Sequence, residues 1–283
     1  TRSFLEGVLR EWPRVANLEK KVGNISWSGD ARMQYQHALN GRKDHADSWN
    51  GRMRINVEGQ VNDQVTVNGR FVNEMDFKDG DSSDTSMDRI NAKWTPNDAT
   101  YVTIGRQGVA LDVTGTFWDE DAVFDGVAAG WDNGKVGVEA GYGRFKSAEN
   151  EADGWSSQDK TEAWYGKLTG HIADAADVSA FYLKNAQKQD QGAQVGENAS
   201  AWGAGLSYGI GDFTVDGDYV KTQNTQAGDA ALWTAGLTYG EVDTDKVGSW
   251  SLGAHYVKAD KGSMFLGCTA LDMGDQLGYA NDT

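Results

Sequence analysis

The chain has 283 residues, 26 basic and 42 acidic, for a net charge of −16, and its single cysteine, Cys268, excludes a disulfide framework or a cysteine-built zinc site. The acidity argues against a nucleic-acid partner, which needs a basic face, and 30 aromatic residues (11 Trp, 10 Tyr, 9 Phe) argue against disorder. No run approaches 18 apolar residues, so neither a membrane helix nor an intact signal peptide is expected; the mean hydropathy of −0.59 suits a soluble protein, but equally a transmembrane β-barrel, whose strands alternate polar and apolar residues.

Residues 1–23 stand apart. Val8, Val15 and Val22 recur every seven positions, Leu18 falls between the last two, and Phe4, Leu5 and Trp12 add to the same side. This spacing predicts a short amphipathic helix, restarting at Pro13 and ending at Gly23-Asn24. Three heptads fit either the end of a coiled-coil stalk or an ordinary helix packed on the domain.

From Asn24 onward the period becomes two. Ile25, Trp27, Gly29, Ala31, Met33 and Tyr35 alternate with polar neighbours, as do Met53, Ile55 and Val57. The same alternation runs through Val136–Tyr142, Trp202–Ile210, Phe213–Tyr219, Trp233–Tyr239 and Trp250–Tyr256. With weaker segments near 65–77, 86–95, 99–107, 123–132, 161–171 and 177–186, thirteen strands are expected. One set of connections is short: 61–64, 96–98, 132–134, 173–176 and 211–212. The other is longer and polar: 38–47, 78–85, 108–122, 146–160, 187–198 and 222–229. One short-turned end and one long-looped end is the pattern of an up-and-down outer-membrane barrel.

The two faces support that reading. The polar face is rich in Gly, Ser, Thr, Arg and Asp, whereas the apolar face carries aromatic pairs near strand ends: Trp27 with Tyr35, Trp202 with Tyr208, Trp233 with Tyr239, and Trp250 with Tyr256. At about 3.3 Å per residue, each pair spans roughly 20–26 Å, which suits two girdles at the membrane interfaces. All four are read as sharing one orientation relative to loop length. Loop 108–122 is unusually apolar (Val109, Ala110, Leu111, Val113, Phe117, Trp118) and could fold inward against the wall.

These residues carry a family resemblance. In sixteen-stranded general porins the third outer loop folds into the lumen and its acidic residues face a basic ladder. On that resemblance Asp112, Asp119, Glu120 and Asp121 are candidates for the acidic side of a constriction, and Arg52, Arg54, Arg70, Arg89, Lys93 and Arg106 for the basic side. The stretch Val15-Ala16-Asn17-Leu18-Glu19-Lys20-Lys21-Val22-Gly23, followed by Trp27-Ser28-Gly29-Asp30, resembles the junction of stalk and barrel in the OmpM-type porins of diderm Firmicutes (Negativicutes). The run Tyr101 to Gln107 resembles a strand common in porin-like families. The resemblance implies an all-β, antiparallel, transmembrane up-and-down β-barrel (residues 24–283), sixteen-stranded when complete, behind a periplasmic helix (residues 1–23). It further implies a homotrimer in the bacterial outer membrane, contacts with lipid and lipopolysaccharide, and attachment to the cell wall through an upstream domain that this sequence does not contain. The function expected is passive diffusion of small hydrophilic solutes and ions. The alternative is a structural tether in which the barrel only anchors.

Thirteen strands is an odd number, and the stretch Gly262–Thr283 lacks clear alternation. The last strands are therefore expected to be missing, unless Met264–Leu271 supplies a fourteenth and closes a smaller barrel. No enzymatic motif, cofactor fingerprint or metal-ligand spacing appears. His37, His45, His171 and His255 are scattered, and the loop Asp79–Asp84 resembles a calcium loop but lacks the terminal Glu.

Overall fold

A computed structural model describes residues 23–37, 47–78, 80, 85–146, 161–172, 175–186, 198–225, 228–243, 245–260 and 262–264. The helix expected before Gly23, the calcium-like loop, His45, Cys268 and nearly all of Met264–Leu271 lie outside these residues. The described residues form thirteen strands, as the alternation predicted. They are β1 (Ile25–His37), β2 (Asp47–Asn62), β3 (Val65–Asp76), β4 (Ser86–Asn97), β5 (Thr100–Gln107), β6 (Val123–Asp132), β7 (Val136–Lys146), β8 (Thr161–Ile172), β9 (Ala176–Asn185), β10 (Ser200–Ile210), β11 (Phe213–Thr225), β12 (Gly228–Glu241) and β13 (Trp250–Ala259). Sheet order is chain order throughout, an up-and-down topology. The chain divides between Trp94 and Thr95, inside β4, into two compact units.

Short connections are made by side chains that mimic backbone. Asn62 Oδ1 accepts the N–H groups of Gln64 and Val65, Asn97 those of Ala99 and Thr100, and Asn133 those of Lys135 and Val136, all at 2.9–3.0 Å. The three turns share one construction, an Asx turn that closes a hairpin. Gly134 and Gly211 supply the positive φ (81° and 60°) that such tight reversals need.

In the unit formed by residues 95–283, the strands keep one apolar face exposed. Trp202, Leu206, Tyr208 and Ile210 on β10 are 42–55 % exposed, although each is a large apolar or aromatic side chain. The aromatics fall in two rows. Near the long connections run the pairs Tyr142–Trp164 (ring centroids 4.2 Å apart), Trp202–Tyr219 (5.6 Å) and Trp233–Tyr256 (4.9 Å). Near the short connections run Phe213–Tyr239 (5.0 Å) and Tyr239–Trp250 (5.7 Å).

The Trp–Tyr pairs do not share one orientation. Antiparallel neighbours run oppositely, so Trp202 and Trp233 lie at the long-loop end of β10 and β12, whereas Trp250 lies at the short-turn end of β13. A second correction concerns 222–229. Here β11 continues to Thr225 and β12 starts at Gly228, because Lys221 and Thr222 remain paired with Ala231 and Ala230. Hydrophilicity marked these residues as loop, but the backbone ladder takes no account of side-chain polarity.

The core lies on the other face of the same unit. Segment 108–122, between β5 and β6, lies on the sheet and buries Leu111, Phe117 and Trp118 against Phe124, Phe145, Tyr165, Phe181 and Leu183. Phe117 stacks on Phe181 (5.3 Å), and Trp118 meets Phe145 edge-on (5.1 Å). Phe124 stands at the centre, fully buried against both Phe145 and Tyr165. Replacing it by Ala removes a large buried ring, and the Phe124→Ala protein should lose about 3–5 kcal/mol of stability, read by urea unfolding of the refolded protein; a loss below about 1 kcal/mol would place Phe124 outside the core.

Candidate functional site

Segment 108–122 is pinned by two carboxylates. Asp112, itself buried, accepts the N–H groups of Phe117 (2.8 Å) and Trp118 (2.9 Å), closing the segment on itself. Asp218 of β11, also buried, accepts the N–H groups of Val113 (3.0 Å) and Thr114 (2.7 Å) across 105 and 104 residues of chain. Its carboxylate has room because Gly205, its register neighbour on β10, has no side chain: a Cβ there would overlap Asp218. Lys167 of β8 adds a third hold, donating from Nζ to the carbonyl of Ala110 at 2.9 Å. Beside it, Glu139 accepts hydroxyl hydrogen bonds from Tyr101 (2.5 Å) and Tyr165 (2.9 Å).

Burial among apolar rings, and then the nearby charge of Asp218, push the Asp112 carboxyl up from 3.8 to about 6, against the opposing pull of the Phe117 and Trp118 N–H groups. Asp119 and Asp121 are half-buried and Glu120 is exposed, at the turn that leads into β6. The acidic candidates therefore separate: Asp112 braces the segment's own backbone, and the other three sit at its exit. Arg106 pairs with Asp125, its register partner, at 2.7 and 3.0 Å.

In the unit formed by residues 1–94, the polar face carries the remaining basic candidates. Arg52 lies in register between Arg32 and Glu74, and Arg70 between Asn56 and Arg89. Arg54 grips both carboxylate oxygens of Asp30 (2.9 and 3.0 Å), and Arg70 does the same with Asp88 (2.6–3.0 Å). Asp88 is the extra residue of a register shift between Arg70 and Phe71, which turns it toward Arg70. Arg89 donates to the Asp88 carbonyl, and Lys93, opposite Thr66, is exposed. A shallow recess lined by Ser26, Ser28, Asn56, Asn68, Arg70 and Arg89 lies on this face. The structure thus brings Arg52, Arg54, Arg70, Arg89 and Lys93 onto one surface. Arg106 belongs to the other unit and, contrary to its expected place on the polar side, shares the exposed apolar face of β5 with Ile104, because Thr103 and Gln107 take the buried face. The eight aromatics expected at membrane interfaces, Trp27, Tyr35, Trp202, Tyr208, Trp233, Tyr239, Trp250 and Tyr256, are all exposed on the apolar faces.

Comparison with solved structures gives several similar chains. OmpF of Salmonella typhi, solved with daunomycin, is similar at 14 % identity over 82 % of this chain and 97 % of its own, with a TM-score of 0.45. A mutant porin of Rhodopseudomonas blastica is similar at 16 % identity, over 83 % and 94 %, with a TM-score of 0.47. OmpT, an outer-membrane protein of Vibrio cholerae in its trimer form, is similar at 13 % identity, over 84 % and 93 %, with a TM-score of 0.44. No protein-family model matches the chain, and neither does any curated protein.

Sequence reasoning missed Asp218 and Lys167 as holders of the segment. Their signal was present in part: Asp218 sits on a polar strand face, and an acid there needs donors. The strand pairing that sets it beside Gly205 and under Val113 is non-local.

Two predictions follow from the clasp. Asp218→Ala leaves two half-buried N–H groups without their charged acceptor, worth about 1.5–3 kcal/mol each, so amide exchange at Val113 and Thr114 should quicken at least tenfold; unchanged exchange would mean that the segment is held elsewhere. The proton on Asp112 is bound more tightly in the docked segment than in the free chain. Its contribution to docking is therefore complete below about pH 4 and lost as pH rises through about 6. Amides 113–118, corrected for intrinsic rates, should be better protected at pH 5 than at pH 7.5, and Asp112→Asn should abolish the difference.

Proposed function

We propose that this protein is an outer-membrane porin that passes small hydrophilic solutes and ions by passive diffusion, with segment 108–122 folded into the lumen to narrow it. The observation that carries this reading is the continuous apolar face of β5–β13, left exposed while the opposite face is polar and bears the segment. A water-soluble protein rarely leaves so much contiguous apolar surface uncovered. Hydrocarbon covers it without further partners, and the two aromatic rows then meet the two interfaces. Lipid tolerates no unpaired sheet edge, so in this reading the strands belong to a closed barrel, of sixteen strands by the resemblance.

In this reading the basic side of the constriction is Arg52, Arg54, Arg70, Arg89 and Lys93; Arg106, on the apolar face of β5 with Ile104, lies outside it. The acidic side is Asp119, Glu120 and Asp121, with Asp112 shaping the loop from inside. Facing charges of opposite sign orient dipolar solutes and penalise apolar ones. The N-terminus lies in the periplasm and enters a coiled-coil stalk. The functional unit is a homotrimer in contact with lipid and lipopolysaccharide, fixed to the cell wall by a domain upstream of this chain. These assignments follow the resemblance at Val15–Gly23 and Trp27–Asp30. The chain performs no enzymatic step and uses no cofactor.

Purified protein in planar bilayers should give stepwise, ohmic conductance. Loss of Arg52 and Arg54 together by alanine substitution should shift the reversal potential toward cation preference. An unchanged potential would remove both residues from the constriction. A folded, membrane-inserted protein without conductance would instead favour a pure anchor.

A further inference from the structure

At the short-turn end of β8–β13, one level of the sheet carries an unbroken register row on the face that bears the segment. His171 of β8 pairs with Asp177 of β9, Asp177 with Ser207 of β10, and Ser207 with Asp216 of β11. Asp216 pairs in turn with Gly236 of β12, and Gly236 with His255 of β13. Two histidine–aspartate pairs result. His171 Nδ1 lies 2.5 Å from Asp177 Oδ1, and His255 Nδ1 lies 3.9 Å from Asp216 Oδ2. The second pair is two strands apart and meets only because the intervening residue is glycine: a Cβ on Gly236 would overlap both Asp216 Oδ2 and His255 Nδ1. Asp177, Ser207, Asp216 and His171 also line a cavity of about 310 Å³ whose roof is Ala110–Val113 of the segment.

We infer that this row is a second selectivity element of the pore, separate from the constriction, whose net charge is set by protonation of His171 and His255. The inference rests on the porin reading. Histidine is the side chain whose charge ordinarily changes between pH 5 and 8. At the alkaline end the row presents Asp177 and Asp216 without compensation and favours cations; at the acid end two imidazolium groups offset them. The other charged groups around the two rings are Lys167 of β8, Asp218 of β11 and Asp112 of the segment. Lys167, Asp218 and Asp112 are engaged with the segment's backbone, and Lys135, just before β7, accepts the His171 N–H through its carbonyl. From β10 and β12 the facing residues are Ser207, Gly236, Thr234 and Thr238, all uncharged.

The test is the reversal potential under a potassium chloride gradient in planar bilayers at pH 8 and pH 5. It compares the unmodified protein, His171→Gln with His255→Gln, Asp177→Asn with Asp216→Asn, and Asp112→Asn. The potassium-to-chloride permeability ratio of the unmodified protein should fall about twofold or more between pH 8 and pH 5, the scale expected for a unit charge about 10 Å from a permeating ion in water. The double histidine variant should lose most of this response, and the double aspartate variant should show the low ratio already at pH 8. A response that Asp112→Asn alone abolishes would belong to the segment and overturn this inference. Diethyl pyrocarbonate, applied to the unmodified protein, gives the same readout if the histidine variant does not insert. A pH-independent ratio, or a full response in the histidine variant or after imidazole modification, overturns this inference and leaves the porin reading standing. Absence of conductance in the unmodified protein overturns both.

Discussion

Where strands cross apolar surroundings, every backbone N–H and C=O must be paired with a neighbouring strand, and that ladder holds side chains to a period of two. Everything else in this molecule follows from the pairing. Once Trp202, Leu206 and Tyr208 are committed to one face of β10, Gly203, Gly205 and Ser207 must take the other. The polar face has no second sheet to pack on, so its core is made by segment 108–122, folded back on the strands from which it springs. The glycines of that face leave room: Gly205 for the Asp218 carboxylate, Gly236 for Asp216 and His255.

Hydrophobic packing and hydrogen bonding divide the work of holding the segment. Leu111, Phe117 and Trp118 are fully buried and supply the burial energy, of order 1.5–3 kcal/mol for each large side chain. The carboxylates of Asp112 and Asp218 supply the geometry, because each accepts two successive N–H groups and so fixes the path of the backbone between Asp112 and Trp118. Asp112 in the segment and Asp218 beneath it repel one another, which adds to the burial cost of the Asp112 charge. Protonation of Asp112 therefore adjusts the hold on the segment, unlike a loop held by packing alone.

The local part of the design was legible in the sequence. Alternation located all thirteen strands, and the apolar character of Val109–Trp118 marked the segment as one that leaves solvent. The rest was not legible, because it depends on which residues become neighbours in the fold. The tight β11–β12 connection escaped because Lys221–Thr225 look like loop until Ala230 and Ala231 are seen opposite Thr222 and Lys221. The Trp–Tyr pairs looked uniformly oriented until strand direction was assigned. Asp112 was a candidate for the acidic side of a constriction by resemblance alone; that its oxygens accept from Phe117 and Trp118, five and six residues later, depends on how the segment folds back. Arg52, Arg54, Arg70 and Arg89 lie on the polar face as expected, whereas Arg106 lies on the apolar one, and the partners Asp30, Asp88 and Asp125 come from register and a local register shift.

The central claim is that one face of this sheet meets hydrocarbon and the other meets water. It is tested most directly by spin labels on single cysteines placed in turn along β10, from Leu206 to Ile210, with Cys268→Ser as background and the protein in lipid vesicles. Labels at Leu206, Tyr208 and Ile210 should relax with dissolved oxygen, and labels at Ser207 and Gly209 with a water-soluble nickel chelate, in strict alternation. Equal access of the chelate to both sets would contradict the account.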